Sequence, residues 1–263
     1  MQVWSLPSSF AAPPRPCAPG PLIDAIARPD FERRALRALN TGLPVAWWTV
    51  YQLFDDQPPR LRAQASFGVP DIALDCWRIY RAGVYRSDAH FAQAIEQASG
   101  APGAVLTHCV ASDFGAAHRE QIYTAHGLSE RLSLVSADPR AEARDPGALL
   151  AVNLYRHREQ PRFGADEIDQ VLALAETLLS VVRRHLELAP ATPAQRLHAH
   201  CPQLTEREFD VCERLLRGWT FEGIGADLGV SASTVKTYRN RAFERLGIHH
   251  RNALFELALH ATS

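Results

Sequence analysis

One short segment of the chain holds the side chains best suited to hydrogen bonding with another macromolecule. The chain has 28 basic residues, and all but one are arginine; the single lysine, Lys236, lies in this segment. Lys236 and Asn240 are four residues apart, so in a helix they share one face. A lysine can donate to guanine O6 or N7, and an asparagine amide can pair with adenine. This spacing favours contact with the edges of DNA bases.

The elements that must position this face are short helices with strong local start and stop signals. Thr205 followed by Glu208 is a capping box that predicts a helix ending at Gly218. Thr220 begins a second helix, Phe221 to Leu228, which Gly229 ends. Ser231 begins a third helix, in which Val235, Ala242 and Leu246 face a core. This order of a helix, a tight turn that contains glycine and another helix predicts a helix-turn-helix. A fourth helix, Asn252 to His260, would complete its core.

Four motifs in this segment occur in order with uninterrupted spacing. They are LTERE from Leu204, G-x-T from Gly218, the I-G-x-x-L-G-V-S-x-S-T-V-K run from Ile224, and L-G-I-x-x-R from Leu246. The segment resembles the C-terminal DNA-binding domain of LuxR/FixJ-type (GerE-like) bacterial transcriptional regulators over about 60 residues. It departs from the usual family pattern at Asp210, Gly223, Tyr238 and Ala242.

The resemblance implies a DNA interface and a partner, a double-stranded DNA operator. The third helix would enter the major groove, with Lys236, Thr237 and Asn240 or Arg241 toward base edges. Phosphates would be held by Ser233, Thr234 and Arg239. The alternative for any one of these side chains is a solvated helix face.

Composition limits what the rest of the chain can be. With 263 residues, 46% apolar and 22% charged, the chain suits two soluble domains, and a formal net charge of -1 confines DNA binding to a local surface. Five cysteines without a C-x-x-C pair argue against a disulfide framework or zinc ribbon and favour a reducing cytoplasm. The crowded His198, His200 and Cys201 do not predict a metal site. No secretory signal or membrane span is evident.

Proline and small residues divide the chain into four predicted parts. Residues 1–20 are expected to be a disordered Pro-rich arm, 21–189 a sensor and dimerisation domain, 190–200 a linker, and 201–263 the helix-turn-helix domain. The expected fold class is an α+β, GAF/PAS-like N-terminal domain joined to an all-α four-helix domain. Its strands are predicted at 46–54, 61–67, 104–110, 131–136 and 149–155 in a meander-like sheet, and its helices at 31–39, 72–80, 88–98, 114–126 and 164–188.

The sensor domain does not match two common regulatory classes. A phosphoacceptor receiver domain uses an essential lysine, and residues 1–235 contain none. A nucleotide-hydrolysing domain would need a G-x-x-x-x-G-K-[ST] loop, which is absent. No nucleophile and base arrangement has motif support, so the sequence predicts no enzyme and no cofactor.

A set of aromatic and acidic residues could line a ligand pocket. Acyl-homoserine-lactone receptors carry a Trp, a Tyr and an Asp-Pro that bind the signal. Here Trp77, Tyr80, Tyr85 and Asp88 match that pattern only in part, which favours another small ligand, or none, over a lactone. The predicted ligand residues are Trp47, Tyr51, Trp77, Tyr80, Tyr85 and Asp88, with Trp48, Phe67, His108 and Asp113 as further candidates. The alternative is that these aromatic residues are plain core.

The helix at 164–188 carries two apolar stripes. One runs through Ile168, Leu172, Ala175, Leu179, Val182 and Leu186, and the other through Val171, Leu174, Leu178 and Val181. Both stripes can pack on the domain's own sheet, or one can meet the same helix of a second subunit in a homodimer.

The sequence leaves two candidate functions open. The first is a DNA-binding transcriptional regulator gated by a small ligand in the N-terminal domain. The second is a constitutive dimeric regulator whose N-terminal domain is a structural or protein-partner module. A polar-studded cavity among Trp47, Tyr51, Trp77 and Tyr85 would favour the first, and a filled core would favour the second.

Overall fold

The computed structural model describes residues 2–5, 18–54, 59–91, 93, 96, 103–138, 148–189, 197, 201 and 203–260. It separates the chain into two units, Met1–Ala189 and Pro190–Ser263. Three predicted segments lie wholly or partly outside the described residues. They are 6–17 of the predicted arm, all of the predicted linker except Leu197, and five residues of the predicted helix 88–98. Leu197 is buried in the core of the second unit, so that unit begins before residue 201.

A six-stranded antiparallel sheet forms the centre of the N-terminal unit. Its strands lie in the order β1-β4-β5-β6-β2-β3. β4, β5 and β6 form the predicted meander, whereas the β2–β3 hairpin joins it through pairing of β2 with β6. The strands are β1 (Gln2–Ser5), β2 (Trp47–Leu53), β3 (Arg60–Ser66), β4 (Ala104–Val110), β5 (Leu128–Ala137) and β6 (Leu149–His157).

The prediction that the whole N-terminal arm lacks a fold is wrong for residues 2–5. Gln2 pairs with His108 and Ser5 with Val105 in an antiparallel ladder with β4. β4 would otherwise be an edge strand with unpaired backbone groups, and Gln2–Ser5 precede the first proline, Pro7, so they can supply these hydrogen bonds.

Helices cover both faces of the sheet. One face packs against α1 (Gly20–Asp24), α2 (Phe31–Leu39) and α5 (Ala165–Leu188). The other packs against α3 (Ala73–Ala82) and α4, which begins as an α-helical turn, Ala116–His118, and continues as a π-helix, Arg119–Thr124. Short 3-10 turns occur at Val84–Ser87 and Ala111–Asp113. The predicted α+β architecture is confirmed.

Both apolar stripes of α5 are buried within their own domain. Leu179 and Val182 of the first stripe are fully buried, and Leu178 and Val181 of the second are at most 4% exposed. The structure therefore confirms that both stripes pack inside this unit, and the proposed seam between subunits along this helix is wrong. The second stripe is covered because α1 also packs on α5, where the Ala27 backbone N–H donates to His185 Nδ1 at 3.2 Å.

Over residues 203–260 the C-terminal unit contains four helices, as predicted. They are α6 (Glu206–Leu216), α7 (Phe221–Leu228), α8 (Ala232–Leu246) and α9 (Arg251–His260). Thr205 accepts from the Glu208 backbone N–H at 3.4 Å, and Glu208 accepts from the Thr205 backbone N–H at 2.9 Å, which completes the capping box. Ser231 accepts from the Thr234 N–H at 3.1 Å. These caps fix where α6 and α8 begin.

The turn between α7 and α8 is held by a close backbone approach. Gly229 ends α7 in the left-handed region at φ 66°, which glycine adopts without strain. A Cβ at Gly225 would lie 2.7 Å from the Val230 carbonyl oxygen. Only glycine at residue 225 lets the turn pack this closely on α7, and this contact sets the angle between the two helices.

No helix among the described residues is both long and apolar enough to cross a membrane.

Candidate DNA interface and ligand cavity

The outward face of α8 presents the predicted base-reading side chains together. Lys236, Thr237, Asn240 and Arg241 are all exposed. On the inward face, Val235 and Ala242 are fully buried and Phe243 is 4% exposed. The helix thus divides into a packed side that fixes its position and a polar side that is open to a partner.

Hydroxyl groups at the start of α8 are hydrogen-bonded to one another. The Ser231 Oγ lies 2.7 Å from Ser233 Oγ and 2.8 Å from Thr234 Oγ1. The Thr237 hydroxyl donates to the Ser233 carbonyl at 3.1 Å, so its oxygen faces a partner only as an acceptor. Ser233 is exposed and Thr234 is half-buried at this helix N-terminus. Backbone N–H groups and hydroxyls at such an end suit contact with a phosphate.

Arg239 is half-buried, and its side chain packs against aromatic rings of α7 and α8. Its guanidinium is 5.5 Å from the Phe221 ring centre and 5.3 Å from the Phe243 ring centre, and its Nε is buried without a partner among the described residues. Lys236 Nζ also lies over Phe221, at 5.7 Å. Aromatic contacts thus orient both cations beside the start of α7.

A buried ion pair joins α6 to α7 and thereby helps to hold α8 in position. Arg214 Nε donates to Asp227 Oδ2 at 2.5 Å, and its Nη1 donates to the Asp210 carbonyl at 2.8 Å. The side chains of Arg214 and Asp227 are only 10% and 5% exposed. The pair fixes α7 against α6, and α7 in turn carries the turn that positions α8.

The N-terminal unit contains a cavity on the α3 and α4 side of the sheet. Its volume is about 30 Å³. It is therefore narrow, with room at present for one or two waters. Aromatic, aliphatic and polar side chains line it: Trp47, Thr49, Tyr51, Ile72, Ala73, Cys76, Tyr80, His118, Ile122, Tyr123, Leu128, Arg131 and Tyr155.

Three of the six predicted ligand residues, Trp47, Tyr51 and Tyr80, line this cavity. The other three are behind its wall: the Trp77 ring lies 5.1 Å from Tyr51, and the Tyr85 ring lies 6.4 Å from Tyr80. Asp88 is buried and already bonded, so it is a structural partner of the wall. The five aromatic residues belong to one apolar cluster. The cavity expected among Trp47, Tyr51, Trp77 and Tyr85 lies instead toward α4 and β5.

Asp88 is held by two groups of the cavity wall. Arg131 donates to both carboxylate oxygens, Nη1 to Oδ2 at 2.9 Å and Nη2 to Oδ1 at 3.3 Å, and the Tyr80 hydroxyl donates to Oδ2 at 3.1 Å. Burial by itself would raise the pKa of Asp88, but the charge and the hydrogen bonds of Arg131, with smaller contributions from nearby histidines, together lower this pKa below its usual value. The pair is therefore ionised and bidentate.

Two further polar groups of the wall, His118 and Tyr123, were not predicted from the sequence. Burial lowers the pKa of His118 to about 4, so its ring is neutral at physiological pH. His118 Nδ1 and the Tyr123 hydroxyl are buried and have no hydrogen-bond partner among the described residues. Both residues belong to α4 or its π-helical part, and π-helical segments are frequent at functional sites. A charged residue inside a buried strand, Arg131, was the one signal in the sequence that pointed here.

The four further candidates do not line the cavity. Trp48 is on the opposite face of the sheet, with its ring centre 5.9 Å from Phe31. Phe67 is 42% exposed. His108 Nε2 lies 2.6 Å from Glu130 Oε2, and Asp113 accepts from the Val110 backbone N–H at 3.0 Å. Alternation along β2 explains why Trp47 and Trp48 have opposite environments. Groups of three or more candidate metal ligands are absent from the described part of the chain.

The C-terminal unit thus has the fold and the open polar helix of a helix-turn-helix DNA-binding domain. Residues 202–258 match the family described as bacterial regulatory proteins, luxR family. The C-terminal unit therefore contains a luxR-family domain.

The likeness to known regulators extends beyond this domain. A helix-turn-helix-type transcriptional regulator from the exeN 3′ region of Aeromonas salmonicida is 29% identical over 188 residues, which are 64% of this chain and 92% of that protein.

Solved structures resemble the N-terminal unit more remotely. The LBD domain of VqsR from Pseudomonas aeruginosa gives a TM-score of 0.46 at 21% identity, over 66% of this chain and 95% of that one. The N-acylhomoserine lactone dependent LuxR family factor CepR2 from Burkholderia cenocepacia gives 0.44 at 17% identity, over 64% and 93%.

Proposed function

We propose that the protein binds a double-stranded DNA operator sequence-specifically through α8 and that a small molecule in the N-terminal cavity modulates this binding. The observation that carries the proposal is the open face of α8, where Lys236, Thr237, Asn240 and Arg241 are exposed on a helix whose other side is packed. A helix presented in this way fits the major groove.

The proposed contacts divide by chemistry. Lys236 and Asn240 read base edges, with Thr237 as an acceptor and Arg241 beside them, whereas Ser233, Thr234 and Arg239 hold phosphates. One α8 helix reads only a few base pairs, so the operator is read by a homodimer on two half-sites. Acting on an operator places the protein with the bacterial DNA in the cytoplasm.

Gating requires a ligand that binds two states of the protein with different affinity. The cavity supports such a role because it combines aromatic walls with polar atoms that lack partners. A compact organic signal molecule fits these features.

The narrowness of the cavity favours a second candidate function. Only about 30 Å³ is open to the centres of water molecules. A regulator that binds DNA constitutively as a dimer, with an N-terminal unit that is a structural or protein-partner module, would need no larger space.

Sequence-specific DNA binding can be tested by using the full chain to select bound fragments from a genomic library. On the enriched duplex, Lys236→Ala should weaken binding by about 1 to 3 kcal/mol, roughly 5- to 150-fold, with little change on a scrambled duplex. Arg207→Ala is the matched control because Arg207 is exposed on α6 and makes only a 4.0 Å ion pair with Asp210. Wild-type affinity of the Lys236→Ala variant for the enriched duplex would contradict the proposal.

A further inference from the structure

The walls and polar atoms of the N-terminal cavity define the chemistry of its occupant. We infer that the cavity takes an uncharged, planar, single-ring compound that carries a hydroxyl group, and not an anion. This inference rests on the proposed ligand-gated function and names the class of ligand.

The aromatic walls of the cavity favour a flat ring. Tyr51 and Tyr80 stack with ring centres 5.8 Å apart and an interplanar angle of 16°, and both line the cavity together with Trp47 and Tyr155. Aromatic walls favour aromatic guests through offset-stacked and edge-to-face contacts. The space holds only one or two waters, so the walls must move apart to admit a ring, and a long flexible chain would need a larger movement.

Three polar groups of the wall have no hydrogen-bond partner among the described residues. The Tyr123 hydroxyl, His118 Nδ1 and Arg131 Nε are all buried and make no hydrogen bond within the described structure. The side chains that carry them pack together: the His118 and Tyr123 ring centres are 5.6 Å apart, and the Phe114 ring lies 4.5 Å from each of them and 4.9 Å from the Arg131 guanidinium. Buried polar groups in native proteins are rarely left without a partner. A ligand hydroxyl both donates and accepts, so it can satisfy a hydroxyl or N–H and a neutral imidazole nitrogen together.

The charge of the wall is balanced before any ligand enters. The bidentate pair between Arg131 and Asp88 cancels the one formal positive charge that lines the cavity. His118 carries no charge at neutral pH. An anionic or cationic guest would lose its hydration without gaining a counter-ion, whereas an uncharged guest avoids this cost.

The test uses three ring compounds of similar size with the full chain. Calorimetry and thermal shift would compare 4-methylphenol, toluene and 4-methylbenzoate. We expect 4-methylphenol to bind about tenfold more tightly than toluene, as one buried hydrogen bond predicts, and 4-methylbenzoate not to bind detectably. Tyr123→Phe should remove most of the advantage of 4-methylphenol and leave toluene binding unchanged. Tyr85→Phe is the control, because Tyr85 packs on Tyr80 but does not line the cavity.

The outcomes separate this inference from the proposed function. Equal binding of toluene and 4-methylphenol, tightest binding of 4-methylbenzoate, or no binding of any probe would each overturn the inference, whatever the DNA result. Binding of 4-methylphenol by the Lys236→Ala variant, which should not select DNA, would support it independently of the operator. Binding of 4-methylphenol without a change in DNA affinity would support the ligand class and contradict gating.

Discussion

At the scale of single residues, the N-terminal unit depends on a buried charge pair. The side chains of Arg131 and Asp88 are 2% and 0% exposed, so the attraction between them offsets part of the cost of removing both charges from water. Such a pair holds β5 to the segment after α3, and it also closes one wall of the cavity. Its loss should affect folding and ligand selection together.

Removing one partner of this pair should be more harmful than removing both. Arg131→Met leaves the Asp88 carboxylate buried without a cation, which should reduce the free energy of unfolding by about 3 to 5 kcal/mol at pH 7. The double variant Asp88→Asn with Arg131→Met should recover part of that loss. Urea unfolding followed by tryptophan fluorescence measures both. If Arg131→Met is as stable as the wild type, the ion pair does not stabilise the N-terminal unit as predicted.

His118 should make the N-terminal unit less stable in mild acid. Its pKa of about 4 lies below the ordinary value of 6.5, so the unfolded chain binds the proton more readily than the folded one. Stability from the neutral ring is complete above about pH 6.5 and is lost as the pH falls toward 4, by at most about 3 kcal/mol. The lowered pKa of Asp88 acts only at still lower pH, near and below its ordinary value.

Urea unfolding of the wild type and of His118→Gln at pH 7, 6 and 5 measures this effect. The variant should lose less stability than the wild type over this range, because glutamine does not titrate. Parallel pH dependence in the two proteins would refute the assignment.

At the scale of elements, the sequence predicts the C-terminal helices better than the arrangement of the sheet. Thr205 and Ser231 set helix starts through hydrogen bonds three residues away, so a local pattern suffices. The place of β2 beside β6 depends on contacts such as Asn153 Nδ2 to Thr49 Oγ1, 104 residues apart in the chain. Polar cavity residues such as His118 resemble surface residues in the sequence, because their burial follows from the tertiary fold.

Two neighbouring glycines of α7 should respond oppositely to alanine. Gly225→Ala places a Cβ 2.7 Å from the Val230 carbonyl oxygen, which should destabilise the C-terminal unit by about 1 to 3 kcal/mol. Gly223→Ala meets only Thr220 Oγ1 at 3.4 Å and should stabilise the helix by up to about 1 kcal/mol. Thermal unfolding followed by circular dichroism compares them. Equal tolerance of both substitutions would contradict the close approach of turn and helix.

At the scale of the whole molecule, affinity for DNA cannot come from overall charge. The formal net charge is -1, whereas α8 alone carries four cations, Lys236, Arg239, Arg241 and Arg245, against Glu244. Any DNA complex therefore depends on a small set of local contacts. Both apolar stripes of α5 are already buried within their own domain, so the proposed homodimer would form through another surface.

The salt dependence of DNA binding should identify Arg239 as a phosphate contact. Arg239→Gln should weaken binding to the selected and the scrambled duplex to a similar extent and reduce the slope of log affinity against log salt by about 1. Fluorescence anisotropy at 50 to 300 mM salt measures the slopes. A change in preference between the two duplexes, with the slope unaltered, would assign Arg239 to base reading instead.

The single lysine has a practical consequence for chemical labelling. Lys236 is exposed on α8 and supplies the only side-chain primary amine in the chain. An amine-reactive ester should therefore modify the protein at this residue and at a free α-amino group, and nowhere else. If bound operator covers Lys236, the ratio of the two products in a mass spectrum reports occupancy directly. Formaldehyde, which links amines to bases, should likewise fix this protein to DNA through one helix.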